Sequence, residues 1–359
     1  ANSTAALTVT NGFTNTGLIE LTNIDGGYVA NLTVTTGTLT NGAAGTLTVL
    51  AGLSGSRTVT APLLVNLGAI TVTGPTTVNA VLDQQGTLTV AGAATLTLAR
   101  ASAVHVNSGT ITLTSGNLTV TQTGTTPSFT NTGTIPLGPS QFLTVTGGTL
   151  DLTAGLLNGP MGTLATNGTT LLYTMATARA RFSLVATTIP GTVTIPAGDS
   201  LVVVGGAIDS PVVNDGLLIT QGTVTLGGAL SNPGTLRVRG SAANSTAALT
   251  VTNGFTNTGL IELTNIDAGY VANLTVTTGT LVNANTGTLL ASAGFGGART
   301  LAAPVTSSGA LTVASGANLT ITGLLQLLNG SVTTASGTLT KSGGCTQSGS
   351  ITLSGTTCP

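Results

Sequence analysis

The residues able to do chemistry are few: nine acidic side chains, eight basic ones, one histidine and two cysteines in 359 positions. Glu20 and Asp25 recur as Glu262 and Asp267, 242 positions further on. Carboxylates on adjacent corner positions could hold Ca²⁺ weakly with help from carbonyl oxygens. Solvated corner carboxylates are the plainer reading, and no calcium-roll GGxGxD run is present. Arg237 and Arg239 alternate along one strand, as do Arg179 and Arg181, so each pair should share a face. Asp209 and Asp215 precede Arg237 by 28 and 22 residues and are expected one coil beneath it. Such a cluster could take a proton α to a carboxyl group and steady the resulting charge. Charge pairing between strands accounts for it equally well. His105 lies in Val104-His105-Val106 and is expected to point outward, alone. No phosphate loop, nucleotide fingerprint or nucleophile elbow occurs. No catalytic residue, cofactor or firm metal site is expected, and an enzyme is not the expectation. Cys345 and Cys358 have too few companion ligands for a metal site. A disulfide closing 345–358 is the preferred reading, and it implies an oxidising, extracellular location.

The composition limits partners. Net charge is -1, charged residues are 5% of the chain and aromatics 3%. Charges this sparse cannot make a stripe that tracks phosphates, so no nucleic-acid partner is expected. No apolar run is long enough for a transmembrane segment. Mean hydropathy is +0.49, too high for a disordered chain. With no Trp and 51 Gly, the interior must be narrow and filled by Leu, Val, Ile and Ala.

The elements that must position these residues are short strands. Leu7-Thr8-Val9-Thr10, Leu32-Thr33-Val34-Thr35, Ile70-Thr71-Val72-Thr73 and Leu118-Thr119-Val120-Thr121 alternate apolar residues with Thr. This period of two places one face inward and one toward water, and the branched Thr suits the outer face of a strand. Corners such as Asn107-Ser108-Gly109, Asn131-Thr132-Gly133 and Asn257-Thr258-Gly259 separate the strands. There Gly is expected to supply positive φ and Asn to bond locally to the backbone. Gly86, Gly109 and Gly133 lie 23 and 24 apart. Three short strands per 21–24 residues predict an all-β, single-stranded parallel β-helix (a β-solenoid), continuous over 1–359. At about 22 residues per coil the chain makes roughly 16 coils, and stacking at roughly 4.8 Å gives about 75–80 Å. Two stretches break the alternation and are expected as lengthened corners or side loops: Gly26-Gly27-Tyr28, copied around Tyr270, and the segment from Leu171 to Phe182.

One stretch records how the chain was assembled. Ala1–Asn41 returns as Ala243–Asn283 with 39 of 41 positions identical; Gly26 becomes Ala268 and Thr40 becomes Val282. The match decays but continues, with Arg57 answering Arg299 and Ala61-Pro62 answering Ala303-Pro304. The chain thus holds a repeat over 1–242 and a partial second copy over 243–359. About 11 whole coils fit the copied unit, as continuation in register requires. With neither initiator Met nor basic-then-apolar leader, a processed product or excised fragment is expected.

The alternating strands and Asn-Thr-Gly corners resemble those of bacterial secreted β-helices: autotransporter passengers, filamentous haemagglutinin-like adhesins and giant repetitive surface proteins. The resemblance is one of pattern and covers the whole chain. It implies secretion from a bacterium and display at the cell surface. The expected function is a non-catalytic structural rod, fibre segment or adhesin shaft, stacking end to end with itself if its ends are open. The alternative is an adhesin holding a glycan or protein through the corners at Tyr28 and Tyr270 or through Arg179 and Arg181. Polysaccharide lyase and ice binding rank below both. Lyases share the architecture, and the Thr-x-Thr runs suit ice, but they fall on what look like all three faces.

Overall fold

The computed structural model describes residues 4–267 and 269–358. The described residues form 41 strands and no helix. They fall into two compact units, Ala1–Arg181 and Phe182–Pro359. The division lies within the strand Ala178–Val185, not at the copy boundary between 242 and 243.

Each unit is a parallel β-solenoid with three strands to a turn, and the two together make about 16 turns. In the first unit, Leu47, Ile70, Leu88 and Ile111 stand directly over one another in four successive parallel strands. In the second, Leu201, Leu218, Leu236, Ile261, Leu289 and Leu311 do the same. These columns are buried, while the Thr residues between them stay half-exposed, as in Thr46–Val49 and Ala69–Val72. Burial of aliphatic columns at roughly 25 cal/mol per Å² is the main cohesive term. Parallel ladders between turns satisfy the backbone.

Turn length varies more than the expected 21–24. Ser200 pairs with Leu217, a step of 17, whereas Leu260 pairs with Thr288, a step of 28. Most extra residues leave the stack as side loops, and a few are taken up as register shifts within strands, between Asn253 and Phe255 and between Thr60 and Leu63. The loops before Ala30 and before Arg57 are of this kind.

The corner asparagines bond locally as expected, Asn257 Nδ2 donating to Gly259 O (3.0 Å) and Asn15 Oδ1 accepting from Gly17 N–H (3.1 Å), but they also do more. They face inward, are almost fully buried, and bond one another between turns. The Nδ2 of Asn15 donates to Oδ1 of Asn41 (2.8 Å), Asn41 to Asn66 (2.8 Å), and Asn66 to Oε1 of Gln84 (2.8 Å). In the second unit Asn214 donates to Asn232 (2.6 Å), Asn232 to Asn257 (2.7 Å), Asn257 to Asn283 (2.8 Å) and Asn283 to Ser307 Oγ (3.0 Å). The spare Nδ2 hydrogen caps a corner carbonyl, as from Asn41 to Ala69. A buried amide is tolerated because its partners are supplied by stacked turns. The first ladder has a gap. Asn107 lies over Gln84, yet Gln84 Nε2 and Asn107 Oδ1 are buried without a partner.

The corner glycines are also needed for another reason. Gly109, Gly133 and Gly259 are not among the positive-φ residues. A Cβ on Gly133 would stand 2.1 Å from the carbonyl oxygen of Gly109, and one on Gly259 2.1 Å from that of Gly234. Close stacking of backbone on backbone, not left-handed geometry, excludes a side chain there.

Cys345 and Cys358 form the expected disulfide, with Cα atoms 5.4 Å apart. Lys341 Nζ donates to Thr356 Oγ1 (2.7 Å) and to the carbonyl of Thr357 (2.6 Å) across the same last turn.

Candidate functional site

The two corners marked by Tyr28 and Tyr270 prove to be paired side loops of one design. In the first unit the loop after Leu21 lies against the loop after Val49. Arg57 enters its strand below that pair and is fully buried. Its Nη2 donates to Ala51 O (2.7 Å) and Asn23 Oδ1 (3.1 Å), and its Nη1 to Ser54 O (3.1 Å) and Gly55 O. Asn23 completes the link. Its Nδ2 donates to Tyr28 O (2.7 Å) and Ser54 O, and its Oδ1 accepts from Leu53 N–H (2.9 Å).

The second unit repeats this with Arg299 and Asn265. Arg299 Nη2 donates to Ala293 O (2.8 Å) and Asn265 Oδ1 (3.2 Å), and Nη1 to Gly296 O (2.9 Å) and Gly297 O (2.8 Å). Asn265 bonds Tyr270 O (2.7 Å) and Phe295 N–H (2.8 Å). A planar fork of five donors suits several carbonyls at once, which an ammonium group would not. Burial lowers the pKa of both arginines. Nothing in their recorded bonds is a carboxylate; carbonyl dipoles carry the compensation.

What the clamp holds up is apolar. Ile24 and Leu53 are 84% and 67% exposed at one loop pair, and Ile266 and Phe295 46% and 67% at the other. Tyr28 and Tyr270 are half-buried at the base of the loops. The expected recurring aromatics are therefore partly packed, and the fully presented groups are neighbours that the sequence reading did not single out. The repeat of Asn23 and Arg57 as Asn265 and Arg299 was the available signal.

The other candidates are dispersed. Arg179 is exposed and Arg181 half-buried within Ala178–Val185, with Ala180 and Phe182 facing inward. Within the segment expected as a corner or side loop, 173–177 form a turn, whereas Ala178–Val185 is a regular strand with Ala178, Ala180, Phe182 and Leu184 in the core. Arg237 is not set over Asp209 or Asp215. It stands over Ile219 and beside Glu262, whose Oε2 accepts from Arg237 Nε at 2.6 Å. Glu262 Oε1 accepts from Ser292 Oγ (2.7 Å), and Asp267 Oδ2 from Ala242 N–H (2.7 Å). These contacts occupy two of the four weak Ca²⁺ candidates. Glu20 and Asp25 have no such partner among the described residues. No group of three or more His, Cys, Asp or Glu side chains among the described residues is placed to hold a metal ion.

His105 reverses its expected orientation. It is 1% exposed and lies under Phe129, and its Nδ1 accepts the main-chain N–H of Leu82 (3.0 Å). Val104 points outward in its place. Desolvation lowers the His105 pKa to about 4, so the ring is a neutral core acceptor. The depression of about 430 Å³ bounded by Gln122, Thr126, Ser128, Gly148 and Thr170 carries no charged side chain. The voids lined by Val72 and Leu88 and by Leu274 and Leu289 are about 10 Å³ each and hold no ligand-sized space.

No helix among the described residues is long and apolar enough to cross a membrane. No family model, no curated protein and no solved structure matches the chain.

Proposed function

We propose that the protein is a non-catalytic structural shaft built from tandem solenoid units, displayed outside a bacterial cell as a rod, fibre segment or adhesin stalk. One observation carries this reading: the copied unit returns the chain to the same phase of the turn. Ala5 lies on Ala30, and Ala30 on Arg57; 242 residues later Ala247 lies on Ala272, and Ala272 on Arg299. A copy inserted in this way keeps core face, amide ladder and loop clamp in place, so copying adds length and leaves the cross-section alone. The disulfide supports an oxidising location.

Electron microscopy of the purified chain over a concentration series, beside a chain lengthened by one further 242-residue unit, tests the proposal. Particles of constant width whose length grows with the added unit are expected. Particles that widen or form a second separate body would overturn it. Concentration-dependent growth of the unlengthened chain would add end-to-end assembly.

The exposed apolar residues on clamped loops favour a second reading, adhesion to a surface glycan or protein. Binding to immobilised host glycans or matrix proteins that disappears in Ile24→Ser/Leu53→Ser/Phe295→Ser would support it. Binding left intact by those changes would exclude the loops as its site.

A further inference from the structure

The first described turn and its later copy have nearly the same sequence in different surroundings. Ala247–Asn257 and Leu260–Asn265 are covered on their N-terminal side by Thr223–Leu226, Leu230–Asn232 and Thr235–Gly240. Nothing among the described residues covers the same side of Ala5–Leu21. Leu249 is 1% exposed, whereas Leu7 is 59% exposed.

Five polar or steric features lack a counterpart at the open edge. Asn257 Oδ1 receives Asn232 Nδ2, and the Gly259 N–H goes to Asn232 O (2.9 Å). Asn15 Oδ1 turns back to its own Gly17 N–H (3.1 Å). Glu262 pairs with Arg237 and Asp267 takes the Ala242 N–H, while Glu20 and Asp25 hold nothing equivalent. A Cβ on Gly259 would strike the turn before it, but one on Gly17 would meet no described atom within 4 Å.

We propose that the edge formed by residues 5–25 is a joint specific for a solenoid turn with the sequence of Thr223–Ala242. Such a turn brings an amide donor to Asn15, a guanidinium to Glu20, a backbone N–H to Asp25 and a close carbonyl over Gly17. The end of a second folded chain fits less well. Its Lys341 stands in the core column after Leu301 and Ile321 and is held there by Thr356 and Thr357. The joint rests on the tandem-unit reading above.

The test uses the full chain extended by a copy of residues 182–242 placed directly before Ala1. Hydrogen exchange is read at Ala5–Leu21, with Ala247–Leu263 as internal standard. Protection at Leu7 and Ile19 should rise roughly a hundredfold toward the standard, because exchange there would then require opening of a covered turn. Reversing the grafted arginine (the copy of Arg237) to Glu should cut that gain, and Glu20→Arg in the same chain should restore it. An unchanged edge, or equal protection with and without the charge reversal, would overturn the joint. Extended particles of greater length with an unprotected edge would sink the joint and leave the shaft. A protected edge on particles that do not lengthen would sink the shaft and leave the joint.

Discussion

Ala5–Leu21 and Ala247–Leu263 are the same residues in two settings, one at an open edge and one inside a stack. The alternation is identical, yet only the second forms a full inward column with Leu249, Val251, Phe255 and Ile261 buried. In the first, Ala5–Val9 is exposed along nearly its whole length. A strand sequence in a solenoid therefore encodes a face but not its burial; the neighbouring turn supplies that. Stability is then a sum of local turns and their contacts, and substitutions should be read turn by turn.

The contrast makes its largest forecast for core truncation. Leu249→Ala should cost roughly 3–4 kcal/mol by loss of transfer energy and cavity formation, and Leu7→Ala less than about 0.5 kcal/mol. Denaturant unfolding monitored by hydrogen exchange in each segment measures both; equal costs would contradict the difference in covering. The next effect separates the two units by pH. His105 is the only histidine and belongs to the first unit. Its folded pKa, about 4, lies below the ordinary value, so the unfolded chain binds more protons between pH 4 and 6.5. Stability of the first unit should be complete above pH 6.5 and fall by up to about 3 kcal/mol as pH drops to 4. The second unit should show no such histidine step. A carbon-bound ring proton followed by NMR would report the pKa directly, and His105→Asn, which retains an acceptor for Leu82, should flatten the slope.

The clamps should behave alike, because Arg57 and Arg299 are both fully buried and hold matching loop groups. Arg57→Met and Arg299→Met should each destabilise by about 2 kcal/mol through orphaned carbonyls, with protease cleavage appearing at 51–56 or 292–297. Cleavage in only one copy would break the equivalence. The smallest effect is a gain. Gln84→Asn should close the gap to Asn107 and stabilise the first unit by about 1 kcal/mol; a loss would show that the longer side chain is needed where it stands.

Alternation, parallel stacking and the terminal disulfide were legible in the sequence because their signals are local or tied to chain order. The amide ladder was not. Asn41 and Asn66 look like turn residues until their partners arrive from other turns, and a local window contains none of these. His105 was misread for a related reason. It shares a face with Asn107, so once Asn107 is known to point inward, His105 must as well. Turn length was blurred by loops that leave the stack, and the burial of Arg57 had no local signal because most of its acceptors are main-chain oxygens without a sequence signature. At the candidate site, duplication marked the clamped loops, but the presented groups Ile24, Leu53 and Phe295 carried no pattern of their own.

The amide columns also give each unit a direction. Every link from Asn15 through Gln84 and from Asn214 through Ser307 donates from the earlier turn to the later one. Aligned amide dipoles polarise one another in the same sense. A unit attached upside down would meet donor with donor or oxygen with oxygen, so fibres made from these turns would have two unlike ends, and growth and anchoring would be chemically distinct events.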